Sequence, residues 1–193
     1  SALFLCVAAV LAFAPLAHAG FLDDLDDRLA GGAPVGKRFQ LGLGGSGPIA
    51  RTTVSFPTKE APGTIIVNTT ERRLYYVLGD GRALRYGIGV GRDGFRWGGV
   101  HHVSAKKEWP DWTPPSQMLR RRPDLPRHMK GGIENPLGAR AMYLGSTLYR
   151  IHGSNEPETI GQAVSSGCFR MTNDDVADLY DRVKVGTKVI VLR

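Results

Sequence analysis

Apolar and polar positions divide the chain into an unpatterned leader and a strand-rich body. Residues 1–19 carry no Lys, Arg, Asp or Glu and stay apolar up to Ala17-His18-Ala19. Phe21, Leu22, Leu25 and Leu29 then fall on one side of a short helical pattern laced with Asp23, Asp24, Asp26 and Asp27. Glycines from Gly31-Gly32 to Gly47 end that periodicity and predict an irregular linker. From residue 64 the pattern changes to short β-branched and apolar runs at 64–68, 73–78, 83–88 and 99–106. Gly79-Asp80-Gly81 separates the second and third runs and predicts a hairpin. A second strand pair, 140–144 and 148–152, flanks Gly145-Ser146-Thr147. Helical periodicity is clear only at 174–183, with Val176, Leu179, Tyr180 and Val183 inward. Thr172 with Asp175 three positions later resembles a capping box. An apolar strand at 188–192 closes the chain. The predicted fold class is mostly β, with one clear C-terminal helix.

Residues 109–136 fit neither period. Six prolines (110, 114, 115, 123, 126 and 136), Trp109, Trp112, Arg120-Arg121-Arg122, Arg127, His128 and Lys130 make this stretch irregular and basic. Such length without pattern inside a domain predicts a binding loop or lid. Its tryptophans either hold substrate or pack beneath a solvated basic surface.

Composition changes the picture in two ways. With 193 residues, 42% hydrophobic and 22% charged, the chain suits one globular domain with a real core. A net charge of +7 favours anionic partners: nucleic acid, acidic lipid headgroups or acidic cell-wall polymers. The apolar start, ending in Ala-x-Ala before Gly20, reads as the core and cleavage site of a secretory signal. It has no initiator Met or basic n-region, so the chain is expected to begin inside that signal. Pro15 interrupts a run already short for a span of about 20 residues, so cleavage is expected, with no membrane span left afterwards. For an exported chain without a recognisable nucleic-acid-binding motif, nucleic acid is set aside as a partner. The predicted organisation is a signal over 1–19, a leader over 20–61 and one domain over 62–193. The glycines at 42–47 have no Lys-Ser/Thr pair and form no phosphate loop.

After cleavage Cys168 is the sole cysteine. An unpaired thiol in an exported chain marks a reactive group, against the alternative of a small buried apolar residue. A thiol attacks as thiolate, and at a pKa of about 8.5 it is mostly protonated at neutral pH. His152 stands sixteen positions upstream, a candidate to take that proton and return it to a leaving amine. Gly153 and Gly167 beside the two groups permit tight turns and close substrate approach. The backbone N–H groups of Gly167 and Cys168 are the candidate oxyanion donors. His101 and His102 raise a metal reading, but adjacent strand residues face opposite sides and no ligand spacing supports it, so no metal is expected.

The run His152-Gly153 to Ser166-Gly167-Cys168-Phe169-Arg170-Met171 closely resembles the signature of the L,D-transpeptidases, the YkuD-type catalytic domain of bacterial cell-wall enzymes. Stretches 87–92, 109–115, 135–141 and 185–189 are also similar to this family, so the resemblance covers about residues 62–193. One stretch departs: Trp97-Gly98-Gly99-Val100 stands where many relatives carry a Thr-Pro-x-Gly-like run, which bears on local loop shape. The resemblance implies a β-sandwich or barrel-like domain with the 109–136 segment over its cleft. It implies a periplasmic enzyme whose partner is peptidoglycan. Cys168 would attack the third residue of a tetrapeptide stem, D-Ala would leave, and an amine would take the thioester. That amine belongs to a second stem, an outer-membrane lipoprotein lysine or a free amino acid. It further implies His152 as base, the Gly153 carbonyl as its orienter, and Arg170, Ser166, Trp112 and Arg140 in substrate binding, with no cofactor. Two rival readings are a thiol-dependent peptidoglycan carboxypeptidase or endopeptidase and a non-catalytic wall-binding module. Common thiol peptidases place Cys before His, the reverse of the order here.

Overall fold

A computed structural model describes residues 48–193. The predicted signal and the short leader helix lie outside the described residues.

Eleven strands and two α-helices make up the described chain. In order they are β1 (Thr52–Ser55), β2 (Ile65–Asn68), β3 (Arg73–Gly79), β4 (Arg82–Gly87), β5 (Val90–Gly91), β6 (Gly99–Glu108), α1 (Ser116–Arg121), β7 (Arg140–Leu144), β8 (Arg150–His152), β9 (Ala163–Ser165), β10 (Phe169–Arg170), α2 (Asn173–Arg182) and β11 (Lys188–Leu192), with a 3-10 turn at Pro157–Thr159. Nine strands form one sheet in the order β1-β4-β3-β2-β11-β6-β7-β8-β10, and β5 pairs with β9. The β3–β4 hairpin closes through Asp80 and Gly81 at φ of 50° and 65°, the left-handed pair that a tight hairpin turn needs.

Strand β6 joins the two halves of the sheet. Its first residues pair with β11 and its last with β7, with a register shift between Val103 and Ala105. A bulge of this kind bends a strand and increases its twist. The main core, including Ile65, Leu74, Tyr86, Leu144, Ile151 and Phe169, is shared by strands from both halves and by Val176 and Leu179 of α2. The structure is mostly β with one main helix, as the patterning predicts. No helix among the described residues is long and apolar enough to cross a membrane.

Helix α2 starts one residue before its predicted bound. Its cap is the predicted one: the Thr172 hydroxyl accepts the Asp175 N–H at 3.2 Å. Val176 and Leu179 are fully buried, and Tyr180 packs half-buried against the core. Asp175 and Asp178 of the same helix meet the Arg51 guanidinium at 3.5 and 3.2 Å. Arg51 and β1 belong to the segment read as leader, so the folded unit begins before residue 62. Strand β1 pairs antiparallel with β4 at the sheet edge, and only Val54 is even half-buried, so it carries no apolar alternation for a sequence reading to detect.

The 109–136 segment is less irregular than predicted. Pro115 precedes α1, whose six residues are too few to display a helical period. Trp112 and Met129 exchange backbone hydrogen bonds at 2.8 Å each. Asn135, 1% exposed, donates to the carbonyls of Pro110 and Lys130 at 3.1 and 3.0 Å while its Oδ1 accepts the Leu137 N–H at 2.9 Å. Trp112, Leu125 and Leu137 form a small apolar cluster separate from the main core. Leu125→Ala is therefore expected to raise protease cleavage within 109–136 while leaving global unfolding nearly unchanged. Leu144→Ala, in the main core, is expected to cost about 2–5 kcal/mol of global stability by denaturant unfolding. Equal global losses in the two variants would contradict the separation.

Candidate active site

The site begins with the pairing of two short strands. Strands β8 and β10 run parallel, with Phe169 opposite Ile151 and Arg170 opposite His152. Side chains alternate across a strand, so Ile151 and Phe169 face one side and their neighbours the other. The core takes the first pair, at 0% and 1% exposure. Arg150, His152, Cys168 and Arg170 are thereby turned to the opposite side, where all four line a cavity of about 280 Å³. Ser166 and two residues of the 109–136 segment, Trp112 and Arg121, also line it.

His152 is held on every side. Its carbonyl accepts the Met171 N–H at 2.8 Å, and the next N–H, of Gly153, donates to Arg140 O at 3.0 Å. Ring nitrogen Nδ1 lies 2.6 Å from the carbonyl of Gly153. A carbonyl only accepts, so Nδ1 carries the proton and Nε2 is the basic nitrogen. Burial, then the charge of Arg170, and to a lesser degree that of Arg150, push the imidazole pKa down to about 3 against the opposing Gly153 bond. The ring is neutral at physiological pH. A Cβ on Gly153 would run into Asn173 Oδ1. That oxygen accepts the N–H groups of Ala139 at 2.9 Å and Ser154 at 3.3 Å. The first residue of α2 thus fixes the loop that presents the Gly153 carbonyl.

The cysteine turn is equally constrained. Gly167 has φ of +109°, and a Cβ there would run into the Tyr149 ring. Its N–H donates to Ser165 Oγ at 3.2 Å, and the same hydroxyl donates to Cys168 O at 2.6 Å. The Gly167 N–H, a predicted oxyanion donor, is therefore aimed at Ser165. Trp97 Nε1 donates to Gly167 O at 2.6 Å, and the indole stacks on Tyr149 with centroids 4.4 Å apart. Trp97, from the stretch that departs from the resembled family, has become part of this turn.

The fold separates the predicted substrate-binding residues. Arg170 and Ser166 line the cavity. Trp112 lines it too, but at 5% exposure it is chiefly the centre of the 109–136 cluster. Arg140 does not belong to the cavity lining. It stands opposite Glu108 in the β6–β7 ladder, reaches that carboxylate at 3.3 Å, and lies over the Tyr180 ring at 5.4 Å. It thus forms a cross-strand ion pair. Sequence reasoning missed Arg150, although period-two alternation from His152 would have placed it on the same face. It also missed Asn173 and Trp97, whose partners are distant in sequence, and Ser165, whose partners are two and three residues away. His101 turns its ring edge-on to Trp97 at 5.0 Å, and no group of three potential metal-ligating side chains occurs among the described residues.

Known proteins bear directly on this geometry. The probable L,D-transpeptidase ErfK/SrfK of Escherichia coli (strain K12) is 41% identical over 137 residues, 66% of this chain and 43% of that protein. The chain thus spans less than half the length of this curated relative. A solved Brucella melitensis structure, described as a probable carnitine operon oxidoreductase, is 47% identical, with a TM-score of 0.51, over 75% of this chain and 94% of that one. An L,D-transpeptidase from Mycobacterium smegmatis has a TM-score of 0.56 over 69% of this chain and 59% of its own, at 19% identity, a likeness of fold alone. The oxidoreductase description stands apart from the others, and the assignment rests on the family profile, which matches residues 62–191, most of the chain. The chain belongs to the L,D-transpeptidase (YkuD) catalytic domain family.

Proposed function

We propose that this protein is a periplasmic L,D-transpeptidase that acts on peptidoglycan tetrapeptide stems through a thioester on Cys168. One observation carries the reading: the β8–β10 register brings Cys168 and His152 to one cavity, and the Gly153 bond at Nδ1 leaves Nε2 of a neutral imidazole as the basic nitrogen. Nε2 takes the Sγ proton as sulfur bonds to the carbonyl carbon of the third stem residue, and the carbonyl π pair moves onto oxygen. The intermediate collapses, the bond to D-Ala breaks, and D-Ala leaves with the proton from Nε2. An acceptor amine then repeats the sequence in reverse. The acceptor is a second stem amine or, in the same chemistry, a lysine of an outer-membrane lipoprotein. The Gly153 carbonyl holds the ring in the working tautomer. Arg170 and Ser166 contact substrate, and Arg150 joins them. The two guanidiniums discourage imidazolium and favour anions beside them, which suits a stem rich in carboxylates.

The direct test is incubation with disaccharide-tetrapeptide followed by mass spectrometry. Free D-Ala and a cross-linked dimer are expected, and both are lost in Cys168→Ala. D-Ala with tripeptide alone, even with amine acceptors supplied, would instead identify a carboxypeptidase. Binding to sacculi without any adduct on Cys168 would identify a wall-binding module. The pH profile gives a second expected outcome. A base with its pKa lowered to about 3 stays neutral well below the ordinary histidine range. The acid limb of kcat/KM should therefore lie below pH 5 rather than near 6.5. The same shift has a stability sign: the unfolded chain binds a proton at this site below about pH 6.5 that the folded chain refuses until about 3, so stability falls as pH drops through that window. His152→Gln should flatten that part of the stability curve while losing most turnover at pH 7.

A further inference from the structure

We propose that Trp97 is a positioning residue for acyl transfer: its indole, through the Gly167 carbonyl, aims the Cys168 N–H at the developing oxyanion. The inference rests on the reading of Cys168 as the nucleophile.

The Gly167 carbonyl and the Cys168 N–H belong to one peptide unit. In a trans peptide these groups lie in a plane and point in opposite directions, and no cis bond occurs among the described residues. Whatever grips the carbonyl therefore sets the direction of the N–H. Trp97 Nε1 grips it at 2.6 Å. The indole thereby directs the N–H of the same peptide away from Trp97, and Cys168 itself lines the cavity. The other N–H of the turn, from Gly167, is directed at Ser165 Oγ. The Cys168 amide, on the peptide whose carbonyl Trp97 holds, is the donor assigned to the oxyanion.

A grip is needed because of the residue that precedes the nucleophile. At φ of +109° Gly167 occupies backbone space that other residues rarely adopt, and glycine has the widest freedom to leave it. Ser165 Oγ ties the groups on either side of this peptide, the Gly167 N–H and the Cys168 carbonyl, and the Trp97 bond is the tertiary contact on the peptide's own carbonyl. The indole is suited to the task because it is itself immobilised. It stacks on Tyr149 at 4.4 Å and 9°, lies 5.2 Å from Phe169, and has His101 edge-on at 5.0 Å. Tyr149 in turn occupies the space that a Gly167 side chain would need. The bracket spans the entrance of β6 and the β8–β10 pair, which carry the reacting groups.

The test separates reactions by whether an oxyanion forms. Acylation of Cys168 by p-nitrophenyl acetate forms an S–C bond, places the carbonyl π pair on oxygen, then expels p-nitrophenolate. Alkylation by iodoacetamide forms an S–C bond and expels iodide, with no oxyanion at any stage. Trp97→Phe keeps an aromatic ring against Tyr149 and removes the donor. Loss of a whole oxyanion donor costs about 10²–10³ in rate, and a misdirected one should cost about tenfold or more. The expected result is an acylation rate lowered by at least about tenfold, with the rate and pH profile of alkylation unchanged within about twofold. Equal losses in both reactions, or no loss in either, would overturn the proposal, as would a wild-type protein that alkylates but does not acylate. If Trp97→Phe does not fold, 3-benzothienylalanine at position 97 keeps the bicyclic shape and lacks only the N–H, and the same two rates decide. D-Ala release from tetrapeptide by the wild type, measured alongside, reports on the peptidoglycan reading. Its absence with ester acylation intact would sink that reading and leave the role of Trp97 standing.

Discussion

The parallel register between β8 and β10 is the constraint on which the site depends. With Phe169 against Ile151 buried in the core, alternation leaves Arg150, His152, Cys168 and Arg170 no choice of side. A slip by one residue would bury the charged and reactive set and expose two large apolar residues. Burial of Ile151 and Phe169, worth roughly 1.5–3 kcal/mol for each such side chain, therefore also enforces the placement of the reactive pair. The catalytic geometry is held by the same contacts that hold the core.

The electrostatics of the cavity follow from that register. A fully buried imidazole beside two guanidiniums stays neutral, and its one ring hydrogen bond, to a backbone carbonyl, selects the tautomer with Nε2 basic. A carboxylate in the place of Gly153 O would favour imidazolium. A carbonyl orients the ring with a partial charge only. The glycine at that position is required by space, because Asn173 closes over it from the start of α2. Helix capping, loop anchoring and histidine orientation thus meet within a few residues, Thr172 to Asn173.

The 109–136 segment is a second, smaller folded layer over the first. Its own apolar cluster and the buried amide of Asn135 give it internal order, while α1 contributes Met118 and Arg121 to the cavity wall. A layer with few contacts to the main core can open at a lower free-energy cost than the domain unfolds.

Much of this was legible in the sequence because it rests on local chemistry. Period-two runs place the strands, Asp80-Gly81 the hairpin, and Thr172 with Asp175 the start of α2. The Gly-flanked His152 and Cys168 point to nucleophile and base. Strand β1 was not legible, since an edge strand with one half-buried residue carries no alternation. The ion-pair partner of Arg140, Glu108, was not legible either, since it is chosen by the β6–β7 ladder and not by neighbours in sequence. Arg150, Asn173 and Trp97 are ordinary residues in their local context, and each acquires its place from register and packing, whereas Ser165 closes a turn within three residues of itself. The sequence by itself determined which residue types and turns were available and which pair is the candidate nucleophile and base. Only the tertiary structure decided that Trp97 meets the Gly167 carbonyl, that Asn173 closes over Gly153 and that Arg170 stands opposite His152, because those residues are far apart in sequence and no local periodicity encodes a long-range partner.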